Sequence, residues 1–150
     1  MKISDFLAPS GVFVGIRSSD KPRLLEDLCR RAATILEVDA DKITVAILER
    51  EQLGSTGLGG GVAIPHARIA DVKTPFGILA RLKSAIEFDA IDQRPVDLVF
   101  LLLLPTTPAA EQLNALALVA RRLRDADTTR NARRATDPPG LYDAVAKNPK

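Results

Sequence analysis

Apolar residues change their spacing several times along this chain, and each change marks an element. The run Val12–Ile16 is β-branched and aromatic and predicts a short strand. Ser18, Ser19 and Asp20 follow as candidate helix N-caps, and Pro22 suits a first helical turn. Leu24, Leu25, Leu28, Ala32, Ile35 and Leu36 then fall at helical spacing, with Glu26, Asp27, Arg30 and Arg31 around the other face. Asp39 or Asp41 can cap a second helix, which carries Ile43, Ala46, Ile47 and Leu48 to about Glu51 and ends in a glycine-rich stretch.

Residues 61–66 predict a strand feeding a loop, and 76–82 another strand. The clearest strand is Val96–Leu104, whose near-continuous apolar character implies burial on both faces in the middle of a sheet. Pro105 ends it. Pro108 starts a helix in which Leu113, Leu116, Ala117, Ala120 and Leu123 make one apolar stripe. The basic segment 128–135 is a further helical candidate. Pro138 and Pro139 open a last helix over 140–147, with Leu141, Tyr142 and Val145 facing inward. Helices and strands alternate without an internal repeat, a low-complexity tract or a linker. The expectation is a single α/β domain over 1–150, a sandwich with a mixed central sheet flanked by helices.

Composition narrows the function classes. Hydrophobic residues make up 46% of the 150, with five Phe, one Tyr and no Trp, so the core should be aliphatic. A formal charge of +2 lacks the concentrated basic footprint of a nucleic-acid binder. The arginines 121, 122, 124, 130, 133 and 134 are interrupted by Asp125 and Asp127, and read first as a solvated helix face. Cys29 is the only cysteine, which rules out an internal disulfide and suits a reducing compartment. The amino-terminal residues lack the apolar core of a signal peptide. The longest apolar run is far short of the ~20 residues that span a bilayer. These features predict a soluble cytoplasmic protein with no direct membrane insertion.

Chemistry concentrates around His66, the single histidine. One Cys and one His cannot build a structural zinc site, and no calcium-binding loop pattern occurs, so no metal is expected. Cys29 sits beside Leu28 on an apolar helix stripe, where a free thiol is packing material rather than a nucleophile paired with His66. Gly57-Leu-Gly-Gly-Gly61 is not a nucleotide-binding loop, because no Lys-Ser/Thr follows and a strand, not a helix, comes next. The bland reading is a turn between helix and strand, with a histidine that is merely satisfied. The sharper reading is that His66 meets a phosphate. Imidazole is a nucleophile that titrates near neutrality, and glycines allow backbone N–H groups close to an anion. Arg50 would supply a fixed positive charge nearby, and Ser55 and Thr56 hydroxyl donors.

Two blocks carry a family resemblance. Leu48-Glu-Arg-Glu-Gln-Leu-Gly-Ser-Thr-Gly-Leu-Gly59, followed by Gly61-Val-Ala-Ile-Pro-His-Ala-Arg68, resembles the phosphorylation-site region of the IIA proteins of the phosphoenolpyruvate-dependent phosphotransferase system, mannitol/fructose class. The block from Phe88 through Asp97 to Pro105 resembles the nitrogen-regulatory branch of that class. The similarity runs over nearly the whole chain. It implies that His66 accepts a phosphoryl group from a phosphohistidine on an HPr-like carrier, with no cofactor. Arg50 matches the family's active-site arginine and would offset charge on the phosphoryl oxygens, which its planar fork suits better than a lysine would. Thr56, Ser55 and the backbone at Gly57 and Gly59 would donate hydrogen bonds, and Pro65 would restrict the chain leading to the imidazole.

One position departs from the pattern. The family commonly carries a second histidine near the start of the helix after the Leu-Pro strand, and here Gln112 stands in its place. Glutamine can hydrogen-bond a phosphoryl oxygen or a ring nitrogen, but it cannot become a cation or relay a proton. Phosphate acceptance at His66 should survive this change, while onward transfer would be affected. The expectation is therefore a regulatory phosphohistidine carrier of the nitrogen type, a phosphoryl carrier rather than a turnover enzyme, acting on regulatory target proteins. Two alternatives stand beside it. One is a fructose- or mannitol-type IIA passing phosphate to a IIB domain. The other is a module that binds an anion or a partner without covalent chemistry.

Overall fold

Val96–Leu104 (β6) is the spine of the sheet, and every other strand is placed by reference to it. The computed structural model describes residues 1–106 and 109–147, with the helical backbone alone for 109–113. After two short 3-10 turns, Ile3–Asp5 and Pro9–Gly11, come β1 (Val12–Ile16), α1 (Lys21–Leu36) and α2 (Ala40–Gln52). Then follow β2 (Gly57–Gly59), β3 (Val62–Ala63), β4 (His66–Arg68), β5 (Phe76–Ile86) and β6. The helices α3 (Ala109–Arg124), α4 (Ala126–Arg134) and α5 (Pro138–Ala146) complete the chain. The six strands form one mixed sheet in the order β1-β5-β6-β3-β2, with β4 also on β6. β6 runs antiparallel to β5 and parallel to β3 and β4.

Alternation along β6 explains its unbroken hydrophobicity. Val99, Leu101 and Leu103 point into one core, with Leu24, Leu25 and Leu28 of α1 and Ile43 and Ile47 of α2. Leu98, Phe100, Leu102 and Leu104 point into the other, with Ala115, Val119 and Leu123 of α3 and Leu141 and Val145 of α5. Both faces are covered, as the sequence predicts for a central strand. The helix starts follow from capping. Asp20 accepts from the Arg23 N–H at 2.9 Å, Asp39 from Asp41 at 3.0 Å and Asp137 from Gly140 at 2.8 Å. Of the two candidates for α2, the cap is Asp39.

Three expectations change. The strand predicted over 61–66 is split into β3 and β4, because Pro65 has no N–H for the ladder and the Ile64 N–H turns to the Thr56 carbonyl at 3.1 Å. The register against β6 is nonetheless kept, Val62 opposite Leu98 and His66 opposite Leu102, so His66 opens a strand instead of entering a loop. β5 runs on to Ile86, past the apolar run, with Lys83 and Ser84 exposed and a register irregularity between Arg81 and Ile86. On α3 the buried row is Ala115, Val119 and Leu123. Leu116 and Ala120 are half-buried and Ala117 is exposed, so the stripe lies one residue away from the one the periodicity suggested. Pro108 and the Leu113 side chain lie outside the described residues.

Candidate functional site

His66 is the first residue of β4, and the strand's alternation turns Ala67 into the core while His66 and Arg68 share the other face. The imidazole is half-buried. Its Nδ1 lies 2.8 Å from the Ile64 carbonyl oxygen. A carbonyl only accepts, so Nδ1 carries the ring hydrogen and Nε2 keeps the lone pair. Burial pulls the imidazole below its ordinary value of 6.5, and the positive charge of Arg50 adds to that; the Ile64 bond and the negative charge of Glu51 oppose it. The shift favours the neutral ring, in which Nε2 carries the lone pair and bonds to none of the described residues.

A cavity of about 730 Å³ opens beside it, lined by His66, Arg50, Glu49, Arg68, Leu53 and Leu116 among others. Arg50 comes from the last turn of α2, and its Nη1 donates to the Gly54 carbonyl at 2.9 Å, which braces the turn that follows the helix. The remaining guanidinium N–H groups are donors suited to an oxyanion. An uncharged imidazole and a guanidinium on one apolar-walled cavity can accept a group that carries negative charge. Among the described residues no group of three or more His, Cys, Asp or Glu side chains could hold a metal ion.

The other residues singled out from the sequence go elsewhere. Ser55, Thr56, Gly57 and Gly59 do not line the cavity. Ser55 Oγ donates to the Phe88 carbonyl at 2.7 Å and accepts from the Gly57 N–H at 3.1 Å. Thr56 is buried, and both its N–H (3.1 Å) and its hydroxyl donate to the Glu51 carboxylate. The glycines build the tight β2–β3 hairpin, where Gly60 and Gly61 have φ of 66° and 81°. That hairpin is tied at its tip by Asp92, which accepts from the Gly60 N–H at 2.9 Å. Arg133 also reaches it, forking Asp97 and donating to the Gly60 carbonyl at 2.6 Å. Pro65 hands its carbonyl to the Leu102 N–H at 2.9 Å, which anchors the chain one residue before His66. Gln112 stands on α3, and its side chain lies outside the described residues.

Sequence reasoning passed over Glu51 and Lys21, which make a buried ion pair at 2.9 Å with side chains 5% and 15% exposed. Lys21 Nζ also donates to the Phe88 carbonyl at 3.3 Å and sits 4.4 Å from the centre of the Phe88 ring. Adjacent charges at Arg50 and Glu51 look like an ordinary helix surface until the partners from α1 are placed. Arg68 was legible only as two residues beyond His66, a spacing that acquires meaning once 66–68 is known to be a strand.

The family model described as "Phosphoenolpyruvate-dependent sugar phosphotransferase system, EIIA 2" matches residues 5–148. The chain belongs to this family. A "Nitrogen regulatory protein" of Bradyrhizobium diazoefficiens is 38% identical over 99% of this chain and 97% of its own length. A "PTS system fructose-specific EIIA component" of Haloferax volcanii is 34% identical over 73% of this chain and 71% of its own. The crystal structure of nitrogen regulatory protein IIA-Ntr from Neisseria meningitidis superposes with a TM-score of 0.90 at 30% identity, covering 95% of this chain and 98% of that one. The EIIA 2 fold, the mixed sheet between two helical layers, is therefore shared with nitrogen-regulatory relatives, as the two sequence blocks led us to expect.

Proposed function

We propose that this EIIA 2 chain, over 1–150, is a regulatory phosphohistidine carrier. Nε2 of His66 attacks the phosphorus of a phosphohistidine on an HPr-like carrier. A new P–N bond forms as the donor's P–N bond breaks, and the donor imidazole takes back the electron pair. No net redox change or cofactor is involved. Arg50 balances charge on the transferring oxygens, and the Ile64 carbonyl stabilises the ring as it becomes cationic at Nδ1–H. The observation that carries this reading is the Nδ1–H bond to Ile64, which leaves Nε2 as the nucleophile of a residue sharing its cavity with Arg50. The nitrogen-regulatory relatives support signalling as the outcome. Phosphorylation would add negative charge at a surface that target proteins read. No described helix is long and apolar enough to cross a membrane, and the reading places the work in the cytoplasm.

The fructose-specific relative favours a second reading, in which the phosphoryl group passes on to a IIB domain. One assay addresses both. The protein is incubated with phosphoenolpyruvate, enzyme I and an HPr-type carrier, and its intact mass is followed with His66→Ala alongside. The expected result is an acid-labile gain of one phosphoryl group, absent from the variant. No gain with an active carrier overturns the carrier reading in favour of a non-covalent binding module. Rapid loss of the label to an added IIB domain favours the sugar pathway over regulation.

A further inference from the structure

A continuous hydrogen-bonded path joins the buried ion pair to the candidate nucleophile. The Glu51 carboxylate takes the Lys21 ammonium at 2.9 Å, the Thr56 N–H at 3.1 Å and the Thr56 hydroxyl. The Thr56 carbonyl then accepts the Ile64 N–H at 3.1 Å, and the Ile64 carbonyl accepts Nδ1–H of His66 at 2.8 Å. Between them Pro65 allows little backbone adjustment and is itself held to Leu102. The carbonyl that fixes the tautomer of His66 is thus aimed by a segment whose other end is held at Glu51.

We propose that Thr56 and Glu51 are positioning residues for His66, holding the Ile64 carbonyl where it retains the hydrogen on Nδ1 and leaves Nε2 free to react. The proposal rests on the carrier reading for its functional consequence, but not for its structural one. It replaces direct phosphate donation as the role of Thr56. That hydroxyl is buried and its one hydrogen is committed to Glu51, so none is left for a phosphoryl oxygen. Lys21 pairs with the carboxylate where a carboxylate without a partner would be costly. Arg50, Glu49 and Arg68 line the cavity itself, and of these Arg50 acts on the imidazole by its charge, whereas Glu51 acts through the backbone as well as by its charge. A displaced acceptor has large consequences, since a misplacement of about 1 Å costs on the order of a hundredfold in rate.

The test uses Thr56→Val, which keeps the branched shape and loses the hydroxyl, and Thr56→Ser, which restores it. Glu51→Gln keeps an acceptor and removes the charge. For each folded variant, the ring ¹⁵N shifts of His66 report the tautomer in the unphosphorylated protein, and intact mass reports the rate of phosphoryl acceptance. Wild type and Thr56→Ser are expected to hold the Nδ1–H tautomer. Thr56→Val and Glu51→Gln are expected to populate Nε2–H and to accept phosphate roughly tenfold more slowly. A folded Thr56→Val with the wild-type tautomer overturns the proposal. If its acceptance is nevertheless slowed, Thr56 is a phosphoryl ligand. A wild type that takes no phosphate would sink the carrier reading alone, because the tautomer measurement needs no phosphorylation.

Discussion

Arg50 and Glu51 are neighbours at the end of α2, yet their side chains serve different surroundings. The Arg50 guanidinium lines the cavity shared with His66, while the Glu51 carboxylate is buried against Lys21 and Thr56. Successive helix positions differ by about 100°. One turn therefore delivers a cation to the site and an anion to the scaffold behind it. The two charges also pull the imidazole in opposite directions, Arg50 down and Glu51 up.

Removing Arg50 should therefore have two signatures. Arg50→Gln is expected to raise the titration midpoint of His66, followed by NMR, because a positive neighbour is lost. Phosphoryl acceptance should fall by roughly 10- to 100-fold, and Arg50→Lys should recover only part of it, since the fork geometry is missing. Wild-type acceptance in Arg50→Gln would remove Arg50 from the site.

The direction of the His66 shift predicts how stability depends on pH. Its folded-state value lies below 6.5, so in the window between them the unfolded chain binds more protons. The contribution is fully present above 6.5 and is lost as pH falls through the window to the folded-state value. Urea midpoints at about pH 7.5 and pH 5.5 should drop more for wild type than for His66→Gln, which does not titrate there. Equal drops would mean that the imidazole is not held neutral by the fold.

Gly57 separates packing from phosphate binding. A Cβ there would lie 2.7 Å from the Ala90 Cβ and 2.8 Å from its Cα. Gly57→Ala should cost about 1–3 kcal/mol, seen as a lowered thermal midpoint, with phosphoryl acceptance by the folded fraction nearly unchanged. A variant as stable as wild type that no longer accepts phosphate would return Gly57 to the site.

Cys29 is fully buried, and burial pushes its thiol up to about 11. It should not react with a disulfide-exchange reagent at neutral pH in the native protein, and should react promptly in denaturant. Stoichiometric labelling under native conditions would contradict the burial.

The elements legible in the sequence are those set by nearest neighbours. Asp20, Pro22 and the apolar positions of α1 specify a helix start and one buried face within a few turns. The nine apolar-rich residues of β6, ending at Pro105, could only be a strand with both faces covered. His66 with Arg50 was legible through the motif that frames them. The α3 stripe was less so, because its small and large apolar residues surround the helix, and only contact with β6 and α4 selects the Ala115, Val119, Leu123 row.

By itself the sequence determined the alternation of elements, the aliphatic core and the family, and singled out the histidine and arginine that line one cavity. Each depends on residue type and short-range spacing. Tertiary structure alone decided that His66 opens a strand in register with Leu102, and that the glycines close a hairpin against Asp92 and Arg133. It also decided that Thr56 spends its donors on Glu51, and that Lys21 crosses from α1 to neutralise that carboxylate. These arrangements join residues tens of positions apart or turn a side chain inward against its polarity. Such placement follows from which surfaces the sheet brings together, and no local pattern encodes it.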